Sequence, residues 1–256
     1  MVRNKINPKA KTIEIKANSK KEFFLIHGYT GSVTDFNGFE KKLNKKFNAN
    51  IKAIRLKGHG TKIEDLDNLE FEDFLNQVER ELKKDLKAGK KIVLGGVSFG
   101  GFLALILAAK YSVKGVFVVG TPYKYKHMFP IYLFKLIGRF KKYWLKGMHP
   151  DETADKSKSF YYNYMPHKSL KIMRDAKKLL EILFYKIEAP CLLICSKGES
   201  LAHWKSSAKM AKRINSPIKE IVTMDCNVHN VFHSPQKKEA ANKIIKFFEK
   251  NKVFEK

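Results

Sequence analysis

Residues 91–111 read KIVLGGVSFGGFLALILAAKY, and the fold turns on this stretch. KIVLG is a short apolar run of strand length, while from Phe99 onward apolar residues continue for several helical turns. Between the two stands Gly96-Val97-Ser98-Phe99-Gly100. A sharp strand-to-helix turn here would lift the Ser98 hydroxyl above the sheet edge. Gly96, Gly100 and Gly101 remove the Cβ atoms that such a turn would force into contact. A helix beginning at Phe99 would also aim its free N–H groups and positive end at the same point, which suits an oxygen that becomes negative.

Working outward, short β-branched and apolar runs alternate with stretches of helical period. Strands are expected at 12–17, 23–27, 51–55, 91–95, 115–119, 190–196 and 218–224, and helices at 35–47, 71–87, 99–111, 203–213 and 235–251. This alternation predicts an α/β fold, a mostly parallel sheet with helices on both faces. The 256 residues fit one ordinary domain. The alternation breaks between Tyr123 and Ile187, too long a gap for a structureless loop in a compact domain. A core of 1–122 and 188–256 with a helical cap insertion at 123–187 is therefore expected. The first half of the cap contains HMFPIYLFKLIGRFKKYWLKGMH, whose apolar residues would form the underside of a lid over an active site; the plainer alternative is an amphipathic helix whose Lys stems lie over its own domain.

Composition is that of a globular protein, with 44% hydrophobic and 30% charged residues. The formal net charge is +26, from 51 Lys+Arg against 25 Asp+Glu. Such a charge attracts anionic surfaces, but Arg stands only at 3, 55, 80, 139, 174 and 213. Specific nucleic-acid readers lean on Arg, and neither a recognised motif nor a localised basic block is present, so no specific nucleic-acid partner is expected. Cys191, Cys195 and Cys226 are odd in number and read as reduced core thiols rather than a disulfide or metal site. The first twenty residues lack an apolar stretch of signal-peptide length, which sets the expectation of a cytoplasmic protein.

A second element, His27-Gly28-Tyr29-Thr30-Gly31, ends the strand FFLIH. If that strand neighbours the one before Ser98, the N–H groups of Tyr29 and Phe99 converge as an oxyanion hole. His27 reads as a structural histidine bonding the neighbouring loop.

FFLIHGYTGS, IRLKGHG, GGVSFGG, APCLLICSKGES and the late His229 recur in the order and spacing of the α/β-hydrolase superfamily. Within it the chain resembles small bacterial carboxylesterases and monoacylglycerol lipases, from about Glu22 to about Phe248. The resemblance implies a serine hydrolase with the chain order Ser, acid, His. Ser98 then matches the nucleophile, Glu199 the acid and His229 the base, with Asp225 and His233 as second choices for acid and base. Gly58-His59-Gly60 matches a structural turn of the family. Two departures stand out: Glu199 replaces the usual Asp, and Val228 replaces the usual Gly before the histidine, where a β-branched residue restricts the backbone.

The implied activity is hydrolysis of a carboxylic ester through an acyl-enzyme, without metal or organic cofactor. Substrates would be small-molecule esters or lipids, with Phe129, Phe134, Phe140 and Trp144 of the cap lining the acyl pocket, beside Ile131, Leu133 and Leu136. The lysines favour peripheral contact with an anionic membrane. Two alternatives stay open: a thioesterase or other hydrolase using the same site, and a catalytically impaired homologue that binds lipid or protein.

Overall fold

The computed structural model describes residues 5–125, 141–146, 157–199 and 201–255. Seven strands form one sheet: β1 (Ile13–Ile15), β2 (Lys21–Ile26), β3 (Asn50–Ile54), β4 (Lys91–Val97), β5 (Gly115–Val119), β8 (Cys191–Ser196) and β9 (Lys219–Met224). Their spatial order is β1-β3-β2-β4-β5-β8-β9, parallel throughout except for β1, which runs antiparallel to β3. The inner strands β2, β4, β5 and β8 are buried along nearly their whole length, as continuous apolar runs in a parallel sheet should be. β9 alternates instead, because it is an edge strand with one face toward solvent.

Successive residues of each strand serve opposite layers. Phe24, Leu94, Val116 and Leu193 face one apolar cluster, and Phe23, Val93, Phe117 and Leu192 face the other. The first layer holds helices α2 (Phe71–Lys87), α3 (Phe99–Lys110) and α4 (Ser169–Leu183); the second holds α1 (Phe39–Phe47) and α6 (Lys237–Lys250). Helix α5 (Lys205–Ala211) adds Met210 and Ala211 to the first. Helix α3 is buried from Phe99 to Ala108, so it can be apolar all round.

Two local differences from expectation have physical causes. The helix expected over 35–47 is two pieces: a 3-10 turn at Val33–Phe36 and α1, separated by Asn37 and Gly38 at φ 45° and 84°. Both residue types enter the left-handed region at low cost, so the chain turns there. In the region expected to be a helical insertion, the described residues include α4 and also a two-stranded antiparallel ribbon, β6 (Tyr143–Leu145) with β7 (Tyr164–Pro166). No strand of the main sheet lies there among the described residues.

The sheet reverses its strand order between β2 and β4, and the loops leaving their carboxyl ends open a crevice at that switch point. Gly100 sits where α3 crosses the end of β2. A Cβ on it would collide with the carbonyl oxygen of Ile26 and stand 2.6 Å from that of His27. Gly100→Ala should therefore push α3 off β2, costing about 1–3 kcal/mol or more of stability. Thermal melts should record the loss, and an unchanged Tm would mean that the contact is not tight.

Candidate active site

Ser98 follows β4 with φ 52° and ψ −112°, a left-handed conformation that costs a non-glycine residue of order 1–3 kcal/mol. Its N–H donates to Val119 O at 2.8 Å, fastening the turn to β5. The side chain is mostly buried but opens on a cavity of about 340 Å³ that His229 also lines. The turn after β2 lies close by, since a Cβ on Gly28 would stand 3.4 Å from Ser98 Cβ.

The loops after β8 and β9 carry Glu199 and His229. Beyond the strands their pairing continues, with Lys197 N–H on Met224 O at 2.9 Å and Gly198 N–H on Cys226 O at 3.0 Å. This sets Glu199 beside His229, and a Glu199 carboxylate oxygen bonds His229 Nδ1 in a very short contact. The same Oε2 accepts from Ala202 N–H at 3.1 Å, and Glu199 is 1% exposed. The longer reach of Glu over Asp is thus accommodated. Gly120, at φ 61°, leaves room for the imidazole: a Cβ there would stand 2.6 Å from His229 O and 3.3 Å from its Cε1. Val228 keeps an ordinary negative φ and is buried against the cavity, so its β-branch meets no backbone conflict.

The second-choice residues sit elsewhere or are otherwise engaged. Asp225 is exposed, and its carbonyl accepts from the Gln236 amide. His233 is buried and reaches the cavity wall; burial lowers its pKa to about 4.

In the turn at 28–31, the N–H of Gly28 donates to Asp35 Oδ2 at 2.8 Å, that of Thr30 to His59 Nε2 at 3.1 Å and that of Gly31 to Gly28 O at 3.1 Å. Among the described residues the N–H of Tyr29 has no such acceptor, while the Tyr29 ring packs edge-on to His59, Phe74 and Phe99. His27 is committed structurally: its Nδ1 bonds Gly28 O at 2.8 Å, and its Nε2 accepts from Leu56 N–H at 3.0 Å. His59 does the same for Thr30 N–H and Lys57 O. Burial lowers both pKa values, that of His59 to about 4, so both rings are neutral acceptors at neutral pH.

The cavity has walls of two kinds. Met165 and Met173, from the ribbon and α4, join Leu201 and Val228 in an apolar wall, while Thr34, Asp35, Asn230 and Lys146 supply polar groups. Trp144 lies on β6 and is not part of this lining; Met165, its cross-strand partner, is. Phe129, Phe134 and Phe140 lie outside the described residues. Asp35 and Lys146 were not singled out by sequence. Asp35 carried a signal in the glycines at 28 and 31 a few residues before it, whereas Lys146 is one lysine among dozens. No group of three His, Cys, Asp or Glu among the described residues is placed to hold a metal ion.

Comparison with known proteins agrees with this frame. The family model described as serine aminopeptidase, S33, matches residues 17–236. A carboxylesterase of Bacillus subtilis (strain 168) is 21% identical over 233 residues, 90% of this chain and 93% of that protein. A solved structure of metagenome-derived lipolytic enzymes superposes with a TM-score of 0.85 at 18% identity, covering 96% of this chain and 100% of the other. The monoacylglycerol lipase of Paleococcus ferrophilus gives 0.74 at 16% identity, covering 92% and 96%. Because the matched span takes in β2, the Ser98 turn and the loops bearing Glu199 and His229, the chain belongs to the serine aminopeptidase, S33, family of α/β-hydrolases and is a serine hydrolase.

Proposed function

We propose that the protein hydrolyses carboxylic esters of apolar acyl groups through an acyl-enzyme on Ser98. The observation that carries this reading is the Glu199–His229 hydrogen bond beside a cavity shared with Ser98. His229 takes the Ser98 proton as Oγ attacks the ester carbonyl, and the N–H groups of Tyr29 and Phe99 hold the resulting oxyanion. The imidazolium then protonates the departing alcohol. Water enters, loses its proton to His229, and releases the acid as Ser98 is reprotonated. Glu199 keeps Nδ1 protonated, so that Nε2 is the basic nitrogen, and stabilises the imidazolium.

Residues 123–187 act as the cap in this reading. The apolar wall takes the acyl chain and the polar side of the cavity faces the alcohol, which suits an amphipathic ester such as a monoacylglycerol or lysophospholipid. The carboxylesterase and lipase names among the relatives support the ester class. We further place the enzyme in the cytoplasm, with peripheral contact to anionic membranes through its excess of lysines. No described helix is long and apolar enough to cross a membrane.

A p-nitrophenyl ester series from acetyl to palmitoyl tests the substrate class. Each methylene buried should raise kcat/KM about fourfold, from about 0.8 kcal/mol per group, until the cavity is full; activity confined to acetyl and butyryl esters would remove the lipid assignment. Ser98→Ala should abolish turnover of the best ester with the melting curve preserved, and full residual activity would strike Ser98 from the mechanism. Glu199→Gln should lower kcat about 10²–10⁴-fold. Asp225→Asn should leave it unchanged, and the reverse pattern would reassign the acid.

A further inference from the structure

Asp35 is neither nucleophile, base nor acid in the scheme above, yet the turn at 28–31 is folded around it. Its Oδ2 accepts the Gly28 N–H at 2.8 Å, one residue before the Tyr29 N–H assigned to the oxyanion. The two glycines of the turn leave room for the carboxylate: a Cβ on Gly31 would stand 2.7 Å from Oδ1, and one on Gly28 would stand 3.2 Å from Oδ2. The main chain of Asp35 faces the other way. Its carbonyl oxygen accepts from the Asn230 side-chain amide at 2.9 Å, and Asn230 directly follows His229. Two residues on, the Asn37 amide donates to Phe232 O at 2.7 Å, a second tie between the same segments.

We propose that Asp35 is a positioning residue for the acyl transfer, its carboxylate clamping the oxyanion-side turn while its carbonyl clamps the histidine loop, so that both are held in register about Ser98. The proposal rests on the acyl-transfer reading of the site. An oxyanion hole works only when its donors are already aimed at the position the oxygen will take. A hydrogen bond to an ionised carboxylate is shorter and about twice as strong as one between neutral partners, which suits a clamp on a tight turn. Asp35 is half-buried in the cavity wall and is faced there by Lys146 from the end of the ribbon and by His229; His233 lines the same cavity. Burial pushes its pKa up to about 6, against the opposing pull of the Gly28 N–H and Lys146. The clamp is therefore charged above about pH 6 and weakens as pH falls through that value.

The test compares wild type, Asp35→Ala and Asp35→Asn on one p-nitrophenyl ester across pH, with thermal melts to confirm folding. Asp35→Ala should lose about a hundredfold in kcat, on the scale of one oxyanion donor, with KM changed by less than about threefold. Asp35→Asn keeps an acceptor for the Gly28 N–H. It should recover about tenfold of that loss, and the acid limb of its kcat profile should contain one ionisation fewer than the wild type. Asp35→Ala with kcat within about threefold of wild type would overturn the clamp. So would Asp35→Asn with the acid limb of the wild type, which decides the matter alone if the alanine variant does not fold. A wild-type enzyme that turns over no ester would instead overturn the acyl-transfer reading, and the clamp with it.

Discussion

Everything at the catalytic edge depends on how closely helix α3 approaches the ends of β2 and β4. Gly96, Gly100 and Gly101 let the helix backbone pass where side chains would collide with the Gly100 carbonyl, the Ile26 carbonyl and the Thr121 hydroxyl. With the helix so close, the single residue between β4 and α3 has no room for a relaxed turn, and Ser98 is forced to φ 52°. The strain is supported by one of the most deeply buried helices of the molecule, packed between the sheet and α4. Burial of an apolar helix thus provides the rigidity that an exposed turn would lack, and the hydroxyl is presented at the sheet edge as a consequence.

The loops around that hydroxyl are anchored by apolar side chains such as Tyr29, Val231 and Phe232 and ordered in detail by hydrogen bonds. Neutral, buried His27 and His59 satisfy the backbone of the turns at 28–31 and 56–59, and extended pairing beyond β8 and β9 sets the Glu199 loop against the His229 loop. These groups accept because burial keeps them uncharged. Asp35 is the exception, an ionisable clamp at the cavity itself, and it joins the two sets of loops.

Much of this was legible in the sequence where one physical signal dominated. The strand, turn and helix at 91–111 could be read because apolar periodicity changes abruptly at a glycine-flanked serine, and the parallel sheet because its inner strands are continuous apolar runs. Glu199 and His229 came from resemblance, since nothing local to SKGES or DCNVHNVFH says that they meet; only the pairing of β8 with β9 does. The break at Asn37 and Gly38 did carry a signal, since an Asn-Gly pair favours a turn, but the apolar period running across it reads more strongly as one helix. The ribbon of β6 and β7 was illegible for another reason: each strand is three residues long, and their pairing spans a gap that no local pattern bridges. Val228, where the family commonly has Gly, is accommodated without a positive φ, and Gly120 just past the end of β5 gives the His229 loop its room.

The central claim is that Ser98 is an activated nucleophile served by His229. Treatment with a fluorophosphonate followed by peptide mass mapping addresses it without assuming any natural substrate. The account predicts a single phosphonyl adduct on Ser98, formed rapidly in the wild type and slowed by orders of magnitude in His229→Ala. An adduct on a different serine, or labelling of Ser98 at the same rate without His229, would contradict it.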